Sequence, residues 1–190
     1  MKKRSWFICN IIVLCICFNS CSNYKVRKAI RHFQGKELIM DGCRYQIKSG
    51  ILEDYETEIS FAPITLVSYI DEKLCTHCLT NYLNVSLSFI NSFQSDSVKY
   101  ICVAYPRPIP ELHEAIKDFD DDQIQVYYDK DNLFYKKNSL KLLNDNAPRS
   151  FLVNGKGVVL YVGDPVTANP VADLYKLRIM QMLNDEMSFQ

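Results

Sequence analysis

The longest apolar run of this 190-residue chain, residues 6–18, falls short of the roughly 20 residues that a membrane-spanning helix needs. Charge of one sign is also missing, since 22 Lys and Arg stand against 22 Asp and Glu. A nucleic-acid surface wants a basic patch, and none is visible. No repeat or low-complexity tract interrupts the chain. A zinc site would need four ligands, usually two Cys/His pairs at similar spacing, and only one such pair exists. The other candidates, Cys43, His32 and His113, are scattered. Covalent haem needs a His directly after the second cysteine of its motif, and Leu79 stands there instead. Asp118 to Asp122 lacks the spaced ligands and the glycine of a calcium loop. No metal and no diffusible cofactor is therefore expected. A single Trp accompanies 12 Tyr and 10 Phe, and the aromatics fall mostly at core spacing on strand and helix faces.

The start of the chain reads as a processing segment. Lys2, Lys3 and Arg4 precede the apolar run, and Asn19 and Ser20 lead to Cys21. A small residue before a cysteine at the end of such a run resembles the lipobox of bacterial lipoproteins, although Phe18 replaces the usual Leu. The resemblance implies that residues 1–20 are removed and that Cys21 carries lipid; an ordinary secretory peptide is the alternative. Either way the chain is exported. Loss of residues 1–20 leaves 19 basic against 22 acidic residues, a charge of −3. It also leaves Cys43, Cys75, Cys78 and Cys102 facing an oxidising compartment, where thiol chemistry is natural.

Residues 21–35 read as a tether holding a short helix over 24–33, its basic side chains near anionic headgroups or simply solvated. Residues 36–190 suit one domain. An early strand or hairpin is expected over 37–48, turning at Asp41-Gly42. Strands follow at 63–71, 98–105 and 125–128, with helices at 75–93, 111–119 and 132–140. Asn154-Gly155-Lys156-Gly157 predicts a hairpin between strands 150–153 and 158–162, and an amphipathic helix over 172–183 closes the chain. The nearly continuous apolar run 98–105 suits a parallel strand covered on both faces.

Cys75-Thr76-His77-Cys78 stands where the strand 63–71 hands over to the helix 75–93. Two cysteines one turn apart at a helix start can form and break a disulfide with little backbone movement. The unpaired N–H groups there, and the partial positive charge, favour the thiolate of Cys75, which is the nucleophile of disulfide exchange. His77 can stabilise that thiolate further and so make the disulfide more oxidising. A bland role, as an exposed residue of the first turn, is equally consistent with the sequence. A structural disulfide is possible too, but so short a loop restrains the unfolded chain little. Cys102 reads as a small buried hydrophobe, and Cys43 could pair with it only if the early strands lie alongside.

The order of parts over residues 60–190 resembles the thioredoxin superfamily, most closely its membrane-anchored TlpA-like and ResA-like branch. Three pieces carry the resemblance: the strand, Cys75-Thr76-His77-Cys78 and long helix; the inserted strand and helix units; and Asn146-Ala147-Pro148-Arg149-Ser150-Phe151-Leu152-Val153. The resemblance implies an α/β fold with a central mixed sheet flanked by helices, an N-terminal strand extension and a terminal β-hairpin plus helix. It implies that Cys75 attacks and that Cys78, one turn further in and more buried, resolves. It makes Pro148 a cis-proline facing the pair, with Thr76, Ala147 and Pro148 contacting an extended substrate. His77 resembles the dipeptide of periplasmic disulfide oxidases more than the Gly-Pro of thioredoxin.

Two departures matter. Leu74 replaces a Trp common among relatives. Tyr69 occupies the place of the buried acid that assists the second cysteine, leaving Asp71 or Glu72 as substitutes. The expected protein is a lipid-anchored thiol–disulfide oxidoreductase of the cell envelope, probing cysteine-bearing exported polypeptides or apocytochromes, served by a membrane redox partner and held by the bilayer through Cys21. A non-enzymatic scaffold for an envelope partner is the rival.

Overall fold

The computed structural model describes residues 27–41, 43, 45–48, 51–54, 59–71, 73–105, 108–119, 124–143, 149–167 and 169–187. The β-branched and aromatic run Ile64–Ile70 forms a strand (β3) whose seven residues are all buried. It pairs in parallel with Val98–Ala104 (β4), Ile64 opposite Val98 and Ile70 opposite Ala104. On its other side it pairs antiparallel with Arg149–Asn154 (β6), Tyr69 opposite Arg149. With Tyr45–Lys48 (β1), Ile51–Asp54 (β2), Gln125–Tyr128 (β5) and Val159–Val162 (β7), these strands make one mixed seven-stranded sheet of order β2-β1-β5-β4-β3-β6-β7.

Alternation along the strands divides the core into two layers. On one face Leu66, Tyr100, Cys102 and Leu152 meet helices Thr76–Asn91 (α2), Ile109–Ile116 (α3) and Asn169–Met187 (α5). Leu79 and Leu83 of α2 are wholly buried there, each stabilising the fold by about 1.5–3 kcal/mol. On the other face Val67, Tyr69, Ile101, Phe151 and Val153 meet Phe33, Leu38, Phe134 and Leu140. These come from the helical residues 27–33 (α1), the strap after them, the short helix Leu133–Lys137 (α4) and a 3-10 turn, Leu140–Leu142. Cys43 and Cys102 form no disulfide and are buried in opposite layers. Pairing between them is thereby excluded.

The hairpin expected over 37–48 lies later, at 45–54, where β1 pairs with both β2 and β5. Residues 36–39 instead run beside the β6–β7 turn. Lys36 O accepts from Val159 N–H at 2.8 Å, Leu38 N–H donates to Gly157 O at 2.9 Å, and Glu37 bridges Val158. The buried Asn138 explains why residue 39 needs no strand partner. Its side chain accepts from Ile39 N–H at 2.9 Å and donates to Ile39 O at 2.8 Å, satisfying both backbone groups. The described part of the segment read as a tether, 27–35, is packed onto the domain, with Ala29 and Phe33 buried.

The hairpin expected at 154–157 is present. Asn154 Oδ1 accepts from the N–H groups of Lys156 and Val158, and Gly157 adopts φ +74°. A Cβ at Gly157 would meet the Phe61 ring at 2.5 Å, so the turn needs glycine twice over. Among the described residues no helix is long and apolar enough to cross a membrane.

Candidate active site

The chain leaves β3 at Ile70 and turns within five residues into α2. Asp71 Oδ1 accepts from Lys73 N–H at 3.0 Å, a local turn that a short acidic side chain favours. Cys75 is the N-cap of α2, with extended backbone (φ −64°, ψ 156°), and its carbonyl accepts the first helical bond from Leu79 N–H at 2.9 Å. The capping position normally filled by an oxygen is filled by sulfur: Cys75 Sγ accepts from Cys78 N–H at 3.1 Å. Cys75 and Cys78 are joined by a disulfide, with Cα atoms 5.1 Å apart.

This cap determines what the pair can do chemically if it is reduced. On reduction the same N–H that touches neutral sulfur meets a thiolate, and the hydrogen bond becomes charge-assisted. The sixteen-residue helix carries no acid in its first turn to oppose that charge. Thr80 holds the turn in place, its hydroxyl lying 3.1 Å from Thr76 O and 3.2 Å from Ala115 O of α3. The first turn is thus tied to a neighbouring helix.

Cys75, His77 and Cys78 are all exposed, and Thr76 is half-buried. Cys78, expected to be more buried than Cys75, is exposed as Cys75 is. The apolar face of α2 first reaches the core at Leu79, leaving the whole Cys75–Cys78 turn above the packed layer. Ala147 and Pro148 lie outside the described residues, as do Cys21, the leader and Glu72. The described chain resumes at Arg149, in register with Tyr69.

Tyr69 does not take the part of the absent acid. It belongs to the layer opposite α2, and its hydroxyl donates to Asn132 Oδ1 at 3.2 Å. Asp71 is engaged in an ion pair with Arg149 at 3.5 Å. The buried acid on the α2 side is Asp164, which follows β7. Its Oδ1 accepts from the Tyr82 hydroxyl at 3.2 Å and from Val166 N–H at 3.0 Å, and its Oδ2 from the Thr167 hydroxyl at 2.8 Å. Tyr82 stands one turn beyond Cys78 on α2, the spacing at which side chains are neighbours. Ser68 of β3 and Ser150 of β6 complete the cluster, 3.2 and 3.0 Å from the Tyr82 hydroxyl and 2.9 Å from each other.

A phenol has one proton. If Tyr82 gives it to Asp164, its oxygen accepts from the serines, and the cluster is a directed chain ending at the carboxylate. Burial raises the Asp164 carboxyl above its ordinary range, with the hydrogen bonds from Val166, Thr167 and Tyr82 opposing. Nothing in the sequence marks this group. Its members lie at 68, 82, 150 and 164, and only the sheet order brings them together.

A domain of a possible thiol-disulfide isomerase from Cytophaga hutchinsonii is similar, with TM-score 0.52 at 12% identity over 80% of this chain and 96% of that one. The fold is thioredoxin-like. A secreted Mycobacterium tuberculosis disulfide oxidoreductase homologous to E. coli DsbE gives TM-score 0.44 at 11% identity, over 68% of this chain and 90% of that one. StoA from Bacillus subtilis gives 0.40 at 18%, over 60% and 82%. No protein-family model matches the chain, and no curated protein matches its sequence. The architecture read from residues 60–190 is the one found: a central mixed sheet, helices on both faces, added strands at one edge and a closing hairpin with its helix.

Proposed function

We propose that this chain is a thiol–disulfide oxidoreductase of the cell envelope, in the manner of the TlpA-like and ResA-like branch, working through Cys75 and Cys78. The observation that carries the reading is the exposed disulfide across the first turn of α2, with Cys75 sulfur as the helix cap. The likeness in fold to a possible thiol-disulfide isomerase domain supports it.

In the reducing direction, the Cys75 thiolate attacks one sulfur of a substrate disulfide. A mixed disulfide forms and the first substrate thiolate leaves, taking a proton from water. Cys78 then gives up its proton, and its sulfur attacks Cys75 Sγ and expels the second substrate thiolate. Two electrons pass from the protein dithiol to the substrate, and the structure's disulfide is the product state. The oxidising direction reverses each step. The capped thiolate, with His77 beside it, favours the oxidising direction because it stabilises the reduced protein.

Substrates are cysteine-bearing exported polypeptides, contacted by Thr76, Ala147 and Pro148. Cys21 carries the lipid that keeps the domain near a membrane redox partner. Replacing Cys78 by Ser should trap covalent mixed disulfides with exported proteins in cells, resolved by reductant on diagonal gels. Cys75→Ser should trap none, and Cys21→Ser should release the protein from the membrane fraction. Equal trapping by Cys75→Ser and Cys78→Ser would sink the assignment of the nucleophile, and no trapping by either would favour the binding scaffold.

A further inference from the structure

Charge is unevenly placed along this chain. All 22 Asp and Glu lie after residue 36, and the stretch between Cys21 and Glu37 carries Lys25, Arg27, Lys28, Arg31 and Lys36 with no acid among them. Beyond residue 36 stand 14 basic residues against 22 acidic ones, a charge of −8. Folding turns part of the cationic stretch into a fixed surface. At about 100° per residue, Ala29 and Phe33 share one side of α1, and Arg27, Lys28 and Arg31 share the other. Ala29 and Phe33 are buried, the Phe33 ring 5.4 Å from that of Phe151, whereas Arg27, Lys28 and Arg31 are exposed. Lys36, exposed just beyond the helix, donates from Nζ to His32 Nδ1 at 3.3 Å. None of these four cations makes an ion pair among the described residues.

Two observations make this more than a solvated helix face. The first is rigidity. Gly35 N–H donates to Val159 O at 2.8 Å and Gln34 Nε2 to Leu160 O at 3.3 Å, so the end of α1 is tied to β7 and its cations move with the domain. The second is position. Arg27 stands six residues after Cys21, at most about 22 Å of chain, so whatever holds Cys21 at a bilayer also holds these cations near the headgroups. A nucleic acid or an acidic protein would have to approach a molecule whose remainder carries −8. A bilayer touches one face only, and charge interactions fade within about 8 Å at physiological salt. Turning the outward side of α1 toward anionic lipid brings the cations close and leaves the acidic remainder at a distance.

We infer that the outward face of α1, with Arg27, Lys28 and Arg31, docks the folded domain on an anionic lipid surface. The inference rests on the reading of Cys21 as the lipid-bearing residue and adds the orientation in which the domain is held. A patch of this size orients a domain that lipid already keeps at the bilayer, since stable attachment takes two such signals together. Phe33 of α1 packs in the layer of Val67 and Phe151, and α2 packs in the layer on the other side of the sheet. Docking through α1 therefore turns the α2 side, with its exposed Cys75–Cys78 turn, toward the aqueous phase where exported polypeptides are met.

The test is sedimentation of the residue 22–190 protein, which holds every described residue and no lipid, with vesicles of phosphatidylglycerol and phosphatidylcholine in equal parts or of phosphatidylcholine alone. In about 10 mM salt, where screening extends to about 30 Å, the protein should partition onto the anionic vesicles and not the neutral ones, and about 1 M salt should release it. Each Lys or Arg near such a surface raises the partition about fivefold, so Arg27→Gln, Lys28→Gln, Arg31→Gln together should lower it about 100-fold. Lys99→Gln, Lys117→Gln, Lys176→Gln removes the same charge from exposed sites elsewhere and should lower it far less. Equal partition onto both vesicles, no partition onto either, or an equal loss in the two triple variants overturns the docking face. Binding to soluble polyglutamate without binding to anionic vesicles overturns it too and gives the face to an acidic protein. The lipid on Cys21 is read separately, by the membrane fraction of Cys21→Ser at physiological salt, and exchange at Cys75 by the trapping experiment, so either can fail without the other.

Discussion

At the residue scale, the sulfur of Cys75 does two jobs with one lone pair, capping α2 in the oxidised state and holding charge in the reduced one. The sequence discloses this because an N-cap and a nucleophile need the same address, the first position of a helix. Asp164 is the opposite case, a buried carboxyl beside Tyr82 that no local pattern marks. Its folded value is raised, chiefly by burial. An acid shifted upward contributes stability that is fully present below its unfolded value, about 3.9, and is lost as pH rises through the folded value. The wild type should therefore lose stability relative to Asp164→Asn as pH rises from about 4 through that window, and the difference should then level off. Urea denaturation of both proteins across the range measures it, and taking the difference removes the similar contribution of Asp129. A difference that does not change with pH, or that changes the other way, would contradict the assignment.

At the scale of elements, what was legible followed from local pattern. The continuous apolar runs of β3 and β4, the leucine spacing of α2 and the Asn-Gly-Lys-Gly turn each determine their element through neighbours in sequence. The strap at 36–39 was not legible, because its backbone is satisfied by a side chain ninety-nine residues away. No alternation in residues 37–41 reveals a partner of that kind. Asn138→Ala should leave Ile39 N–H and C=O without it, at a cost of about 1–3 kcal/mol. The loss should appear in urea denaturation together with faster amide exchange at Ile39. Unchanged exchange there would mean that the strap is held by its contacts with the β6–β7 turn alone.

At the scale of the whole molecule, two layers of core on one mixed sheet place two things along a single edge: the disulfide and the buried Asp164 cluster under α2. Sequence order predicted the first, since strand, cysteine pair and helix are consecutive. The second depends on β6 lying beside β3, which brings Ser150 to residue 68. The exposure of Cys78 likewise follows from how far α2 protrudes before Leu79 enters the core. The central claim is that this exposed pair is a working redox couple rather than a staple. Titration of the residue 22–190 protein in glutathione buffers, with free thiols counted by alkylation and mass, tests it directly. The account predicts a reversible Cys75–Cys78 couple at a potential above thioredoxin's, between about −270 and about −120 mV. A pair that never cycles, or that stays oxidised below about −300 mV as structural disulfides do, would contradict it.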